Sequence, residues 1–327
     1  MVKVYYKDGN RIDTETLSGQ FAKLNLKDVL WIDFTAPSME ERTEVEKLLD
    51  IKFLSRQEAE EIESTSKYSE NLRDILINAN YYIDRGKTYE SEPISLIITE
   101  TGLLVSYHQL NLSALEEVDK RMNLRPDENR DGFGVLMTVL ESIIDYEADM
   151  EELLTREITR LSKVINASTN IDKAILHRIN ELQEKSTALR EDVYDIERIV
   201  NGIQRSKRFP PGSDVRIELM IKDAESLINH GDISFSRLDY LQDTTMGLIN
   251  IEQNEIVKIL SVAAVIFMPP TLIASIYGMN FKLMPELDWI WTAPNGWVLP
   301  AGYIFAIIMM VVVTLLTYWY FRYKKWL

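Results

Sequence analysis

Asp243, Asn250, Asn254, Val257, Ser261, Ala264, Met268, Thr271 and Ser275 follow one another at steps of three, four or seven residues. That spacing sets them on one side of an α-helix. Where the chain turns apolar, this side stays small or polar, although a lipid-facing side would be bulky and apolar. Small residues also draw helices together without any channel, so spacing alone leaves packing and ion passage both open. A single stripe cannot enclose water, so passage would need several copies around an axis. Catalysis finds no comparable support. His108, His177 and His230 are scattered, and there is no Gly-rich phosphate loop or Ser–His pairing. The histidines read as helix-surface or satisfied core groups, and neither an enzyme nor an organic cofactor is expected.

The stripe ends in Ser275-Ile276-Tyr277-Gly278-Met279-Asn280-Phe281, followed by Met284-Pro285-Glu286-Leu287. This stretch lies between two segments free of charged residues, 259–277 and 297–321, each long enough to cross a bilayer. Arg322, Lys324 and Lys325 follow the second segment, whereas the connecting loop sets Lys282 against Glu286 and Asp288. Positive residues stay on the cytoplasmic side. The tail is therefore expected inside, the loop outside, and the large N-terminal part inside with the tail.

A formal charge of −15 with 51 acidic residues argues against nucleic acid and against docking on anionic lipid. It suits a protein that attracts cations. Cys is absent, which excludes disulfides and thiolate metal sites. The first six residues lead straight into a strand-like run, so no signal peptide is expected.

Residues 1–125 are expected to form a cytoplasmic α/β domain with one sheet. Strand signals occur at 2–6, 29–34, 75–83, 94–98 and 103–107. A helix through Leu49 opens at Ser38, with Glu41 completing a capping box. Residues 126–231 read as cytoplasmic and helical. Ile171, Ile175, Ile179, Leu182, Ser186, Leu189, Val193, Ile196, Val200 and Ile203 alternate steps of three and four there, a coiled-coil seam. A shorter helix is expected to stop near His230-Gly231, with Asp232 capping the next. That stalk helix, 232–280 with its loop residues, would be on the order of 70 Å long if continuous to Tyr277. The remainder divides into an outer loop 281–296, a second span 297–321 and a basic tail 322–327. Acidic clusters at Glu58, Glu60, Glu61 and Glu63, at Glu147, Asp149, Glu151 and Glu152, and at Glu191, Asp192, Asp195 and Glu197 read mostly as solvated helix faces.

Tyr277-Gly278-Met279-Asn280, the nearby Met284-Pro285-Glu286-Leu287, two terminal spans and the closing Lys324-Lys325-Trp326-Leu327 resemble the CorA-type magnesium transporters. So do Ile249-Asn250-Ile251-Glu252-Gln253-Asn254, the Met268-Pro269-Pro270-Thr271 kink and Trp31-Ile32-Asp33. The zinc-exporting branch usually carries Ile where this chain has Met279, which favours magnesium.

The resemblance implies an α+β membrane protein in which an α/β domain with helices on both faces, a long-helix coiled-coil stalk and two C-terminal transmembrane helices form a pentameric funnel. It implies a cell (inner) membrane homopentamer that conducts Mg²⁺ inward, with Co²⁺ and Ni²⁺ as further cargo, under control of intracellular Mg²⁺. Its selectivity filter would be Gly278, Met279 and Asn280. The pore-lining positions would be Asp243, Asn250, Asn254, Val257, Leu260, Ala264, Met268 and Thr271; Val257 replaces a Met found in some relatives. Asp243, Gly278 and Asn280 would meet the passing ion. Glu61 and Asp223 are the candidates for regulatory Mg²⁺, and Glu286 would attract ions or steady the loop. A zinc or other divalent cation transporter of the same family, and a membrane-anchored coiled-coil sensor or scaffold, are the alternatives.

Overall fold

A computed structural model describes residues 1–327 except 9–10, 18–24, 55–57, 59–65, 87, 168–172, 281, 283, 287, 293, 295–297 and 325–327. The chain divides into two compact units, Met1–Thr244 and Thr245–Leu327.

The first unit is built on a seven-stranded sheet of order β2-β1-β3-β7-β6-β5-β4. Its strands are β1 Val2–Asp8, β2 Arg11–Leu17, β3 Val29–Thr35, β4 Tyr68–Glu70, β5 Ile75–Asp84, β6 Tyr89–Ile98 and β7 Leu104–His108. Only β3 and β7 run parallel; the other neighbours are antiparallel. The central strands are apolar on both sides because helices cover both faces. On one face, Val45 of α1 (Met39–Leu49) joins Val4, Ile32, Phe34 and Val105. On the other, α2 (Ser113–Leu124), α3 (Gly132–Ala167) and α4 (Lys173–Arg205) close over Trp31, Ile77, Leu96 and Leu104.

Helix α1 begins where its cap directs. The Ser38 hydroxyl accepts from Glu41 N–H at 3.2 Å, and Glu41 Oε2 accepts from Ser38 N–H at 2.8 Å, satisfying donors the first turn leaves free. The seam of α4 is buried from Ile179 to Ile203; its first residue, Ile171, lies outside the described residues. Helix α3 starts tightly against the loop before it: a Cβ at Gly134 would lie 2.1 Å from the Glu128 carbonyl oxygen. Gly134→Ala is therefore expected to lower stability by about 2–3 kcal/mol, read as a lower unfolding temperature of the purified protein.

Three elements lack the expected signals. β2 is a polar edge strand with Ile12 as its buried apolar residue, β4 has three residues, and α2 starts at Leu112 without a side-chain cap.

The expected break at His230-Gly231 does not occur: α5 runs unbroken from Asp214 to Tyr277. A glycine inside a helix costs only about 1 kcal/mol relative to alanine, and packing outweighs it here. Asp232 does not cap. Its carboxylate pairs with Arg190 at 3.1 Å, Ser234 Oγ donates to Glu151 at 2.6 Å, and Leu238 and Leu241 are buried. The boundary at 231/232 is thus no element boundary.

The second unit contains the C-terminal part of α5, a hairpin of β8 (Ile290–Thr292) and β9 (Val298–Pro300), and α6 (Ala301–Tyr323). Helix α6 begins later than the expected 297 because Val298, Leu299 and Pro300 pair with β8. Proline also disfavours a helical conformation in the residue before it. Trp297 lies outside the described residues. Both α5 and α6 contain apolar stretches long enough to span a membrane. In the isolated chain these leave Phe267, Met268, Leu272, Val311, Leu315 and Trp319 exposed, a surface that suits lipid or further copies rather than water.

Candidate cation pathway

Within α5 the stripe keeps the geometry its spacing implies. At 3.6 residues per turn, Asp243, Asn250, Asn254, Val257, Leu260, Ser261, Ala264, Met268, Thr271 and Ser275 fall within an arc of about 120°. All of them are exposed in the single chain. The opposite side of the same helix, Val262, Ala263, Ile266, Pro269, Pro270 and Ile273, is half-buried. The chain half-covers that opposite side and leaves the stripe open, together with bulky neighbours such as Phe267 and Leu272.

The hydroxyls on this open side are tied to the backbone. Ser261 Oγ donates to the Val257 carbonyl at 2.8 Å and Thr271 Oγ1 to the Phe267 carbonyl at 2.7 Å. Pro269 and Pro270 lack the amide hydrogens that would reach the Val265 and Ile266 carbonyls, yet the helix continues through them.

Helix α5 closes with Gly278 N–H on the Ala274 carbonyl at 2.9 Å and Met279 N–H on the Ile276 carbonyl at 3.2 Å. A Cβ at Gly278 would sit 3.1 Å from the Ala274 oxygen, so glycine suits this close turn. Asn280 follows, exposed and beyond the helix. Gly278, Met279 and Asn280 thus come together at the mouth of the stripe. Glu286 is half-buried in the following loop.

Of the two residues considered for regulation, the structure describes Asp223. Glu61 lies outside the described residues. Asp223 is exposed on α5 and borders a cavity of ≈ 340 Å³ with Arg121, Glu141, Asp145 and Arg216. The neighbouring carboxylates are already neutralised: Arg216 pairs with Glu141 at 2.8 Å and Arg121 with Asp145 at 2.6 Å. Among the described residues no three His, Asp or Glu side chains gather as metal ligands.

Among the described residues, four members of the acidic clusters are not solvated. Glu147, Glu151, Asp192 and Asp195 are buried, whereas Asp149, Glu152 and Glu191 are exposed. The sequence held the signal: Glu147 and Glu151 continue the buried spacing of Ile143, Leu154 and Ile158. His108 is a core histidine, with Nε2 2.9 Å from Asp33 Oδ1 and Nδ1 2.6 Å from the Leu110 carbonyl. Burial works against its charge, but the hydrogen bond to Asp33 and that carboxylate's charge outweigh it and raise its pKa. Ser106 Oγ donates to the same Asp33 oxygen at 2.5 Å and accepts from Trp31 Nε1 at 2.8 Å, a network that fastens β3 to β7. His177 and His230 are exposed.

A family profile described as "CorA-like Mg2+ transporter protein" matches residues 27–325. The chain is 29% identical over 329 residues to the magnesium transport protein CorA of Helicobacter pylori strain J99, covering 100% of this chain and 96% of that protein. To the magnesium transport protein CorA of Escherichia coli strain K12 it is 32% identical over 307 residues, covering 92% and 93%. Its fold matches the complete structure of the CorA magnesium transporter from Methanocaldococcus jannaschii with a TM-score of 0.80 at 21% identity, covering 100% of this chain and 99% of that one. The full-length CmaX protein matches with a TM-score of 0.71 at 14% identity, covering 100% and 98%.

Proposed function

The chain belongs to the CorA-like Mg²⁺ transporter family, and from that premise we propose that it is a magnesium channel of the inner or plasma membrane. It assembles as a homopentamer with both termini cytoplasmic, and Co²⁺ and Ni²⁺ are further cargo. The observation that carries this reading is the open stripe of α5 leading to Gly278-Met279-Asn280 between two membrane-length apolar helices. Copies of that stripe around an axis enclose a path lined by Asn250, Asn254, Val257, Leu260, Ala264, Met268 and Thr271.

Mg²⁺ gives up its water reluctantly and demands octahedral oxygen ligands. A ring of Asn280 amide oxygens with Gly278 carbonyls accepts hydrogen bonds from those waters and holds the ion hydrated. Carboxylates would bind it more tightly and impede its release. Leu260 and Met268 form an apolar constriction, and Asp243 gathers cations at the cytoplasmic end. No chemical energy source is required. The membrane potential supplies about 2.3 kcal/mol per charge per 100 mV, roughly 4.6 for a divalent ion. Fluorescent Mg²⁺ uptake by proteoliposomes, with the assembly's mass measured on the same preparation, tests this reading. Zn²⁺ uptake without Mg²⁺ uptake would assign the chain to the zinc-carrying branch instead.

Intracellular Mg²⁺ closes the pore by holding subunits together. A formal charge of −15 on every copy makes the cytoplasmic parts repel one another, and Mg²⁺ between carboxylates of neighbouring copies offsets that repulsion. Binding shifts the equilibrium only through unequal affinity for the two states. Several weak sites, each favouring the closed ring by about 1 kcal/mol, sum to the roughly 5.5 kcal/mol of a near-complete switch. Glu61 and Asp223 are the proposed ligands. Chelating Mg²⁺ should raise protease sensitivity of the cytoplasmic part several-fold, and Asp223→Lys should reduce that response by supplying a fixed cation. Identical digestion with Mg²⁺ and with chelator would count against Mg²⁺ between subunits as the sensor.

A further inference from the structure

We infer that Glu147 of α3 and Asp192 of α4 form a buried proton-binding site that holds α3 against β5 and α4 against β6 and loosens when the proton leaves. Glu147 is fully buried and Asp192 is 3% exposed. Glu147 Oε1 accepts from Tyr82 N–H of β5 at 3.4 Å, and Asp192 Oδ1 accepts from Ser91 Oγ of β6 at 3.4 Å. Glu147 Oε2 and Asp192 Oδ2 find no hydrogen-bond partner. Two buried carboxylates with orphaned oxygens are strongly disfavoured as anions. One proton converts an orphan into a donor and removes the repulsion between the pair.

The nearby lysines do not replace it: Lys67 lowers the Asp192 pKa by less than burial and Asp195 raise it. Lys67 is 3.1 Å from Asp195 Oδ2, and Lys185 is 2.8 Å from Asp84 Oδ1 and also donates to the Gly86 carbonyl. Both buried lysines are thus committed to other carboxylates. Tyr81 and Tyr82 of β5, Tyr89 of β6 and Tyr146 of α3 lie beside the pair, and Glu191, Tyr194 and Arg198 of α4 border the same cavity as Asp192. Burial raises the pKa of Tyr81, Tyr82 and Tyr146, so they stay neutral. A metal is a poorer fit than a proton, because fewer than three acidic or histidine side chains converge among the described residues. A cavity of ≈ 660 Å³, bordered by Lys67, Asn80, Ser91, Asp192 and Asp195, gives water access to the Asp192 side.

Burial first, and then the charge of Asp192, hold Glu147 well above the usual carboxylate range. Burial and Asp195 push Asp192 up to about 7. These groups bind protons more tightly folded than unfolded. Their contribution to stability is therefore complete in acid and falls as pH rises, that of Asp192 being lost through about 7.

Thermal unfolding of the full-length protein in detergent, at constant Mg²⁺ and from pH 5 to 8, compares the native chain with Glu147→Gln, which keeps the shape and cannot ionise. The variant's unfolding temperature should gain on the native one toward pH 8 by about 4 °C or more. The infrared C=O stretch of a protonated carboxyl, present in the native protein at neutral pH, should weaken in the variant. Parallel temperature–pH curves, or no such band in the native protein, would overturn the assignment. A band that vanishes on adding Mg²⁺ at fixed pH would replace the proton by a metal. If Glu147→Gln does not fold, Asp192→Asn and the pH titration of the native band decide by the same criteria.

Discussion

Replacing Asn280 with Ala is expected to abolish Mg²⁺ uptake while leaving folding and assembly intact. The side chain lies beyond the end of α5 and is exposed, so its removal opens no cavity in the core. In the proposed channel, what is lost is an acceptor for the water shell of the ion. A hydrogen bond involving a charged partner is worth about 1.5–3 kcal/mol, and each 1.36 kcal/mol is tenfold in rate. One lost acceptor per copy, repeated around the ring, exceeds what uptake can absorb. Gly278 carbonyls remain but present fewer acceptors, and the hydrated ion no longer meets a complete ring. Uptake by proteoliposomes, with assembly checked by size, reads the effect. Normal transport by correctly assembled Asn280→Ala would remove Asn280 from the filter.

Leu260→Ser is expected to have the opposite effect, a channel that leaks when it should be closed. Leu260 and Met268 are 63% and 68% exposed in the single chain, and they lie on or beside the open stripe. An assembly that brings these stripes together narrows the path to apolar side chains, from which water withdraws. A hydroxyl at position 260 donates and accepts hydrogen bonds and holds water there. Lowering the wetting barrier by about 1.4 kcal/mol raises basal leak ~10-fold. The measurement is Mg²⁺ flux at millimolar internal Mg²⁺, the condition that closes the native channel in this account. An unchanged closed state, with correct assembly shown, would move the gate away from Leu260. Val257, also exposed on the stripe, would then be the next constriction to substitute.

Local chemistry was legible in the sequence where one residue determines its neighbours. Ser38 and Glu41 announce the start of α1 because the capping box is complete within four residues. The α4 seam announces itself because its apolar spacing repeats over many turns. Gly278-Met279-Asn280 stands out through its resemblance to the CorA-type motif between two apolar spans, and the turn that ends α5 is built from these same adjacent residues.

Features that depend on distant partners were not legible. β2 carries mostly polar residues and gains its place by pairing with β1. Gly231 and Asp232 look like a helix boundary until Arg190, from another helix, takes the Asp232 carboxylate. Glu147 and Asp192 look like surface acids, although their spacing continues buried rows. The charge type suggested water, whereas the helical phase had the correct answer. Regulatory ligands are harder still, since the carboxylates beside Asp223, Glu141 and Asp145, are occupied by arginines.

The most direct test is Mg²⁺ uptake by proteoliposomes of the purified protein under an imposed potassium diffusion potential. Uptake should grow as the interior is made more negative, stop at high Mg²⁺ on the cytoplasmic side, and disappear in Asn280→Ala. Protein of verified assembly and orientation that passes no Mg²⁺ at any potential would contradict the proposed magnesium channel.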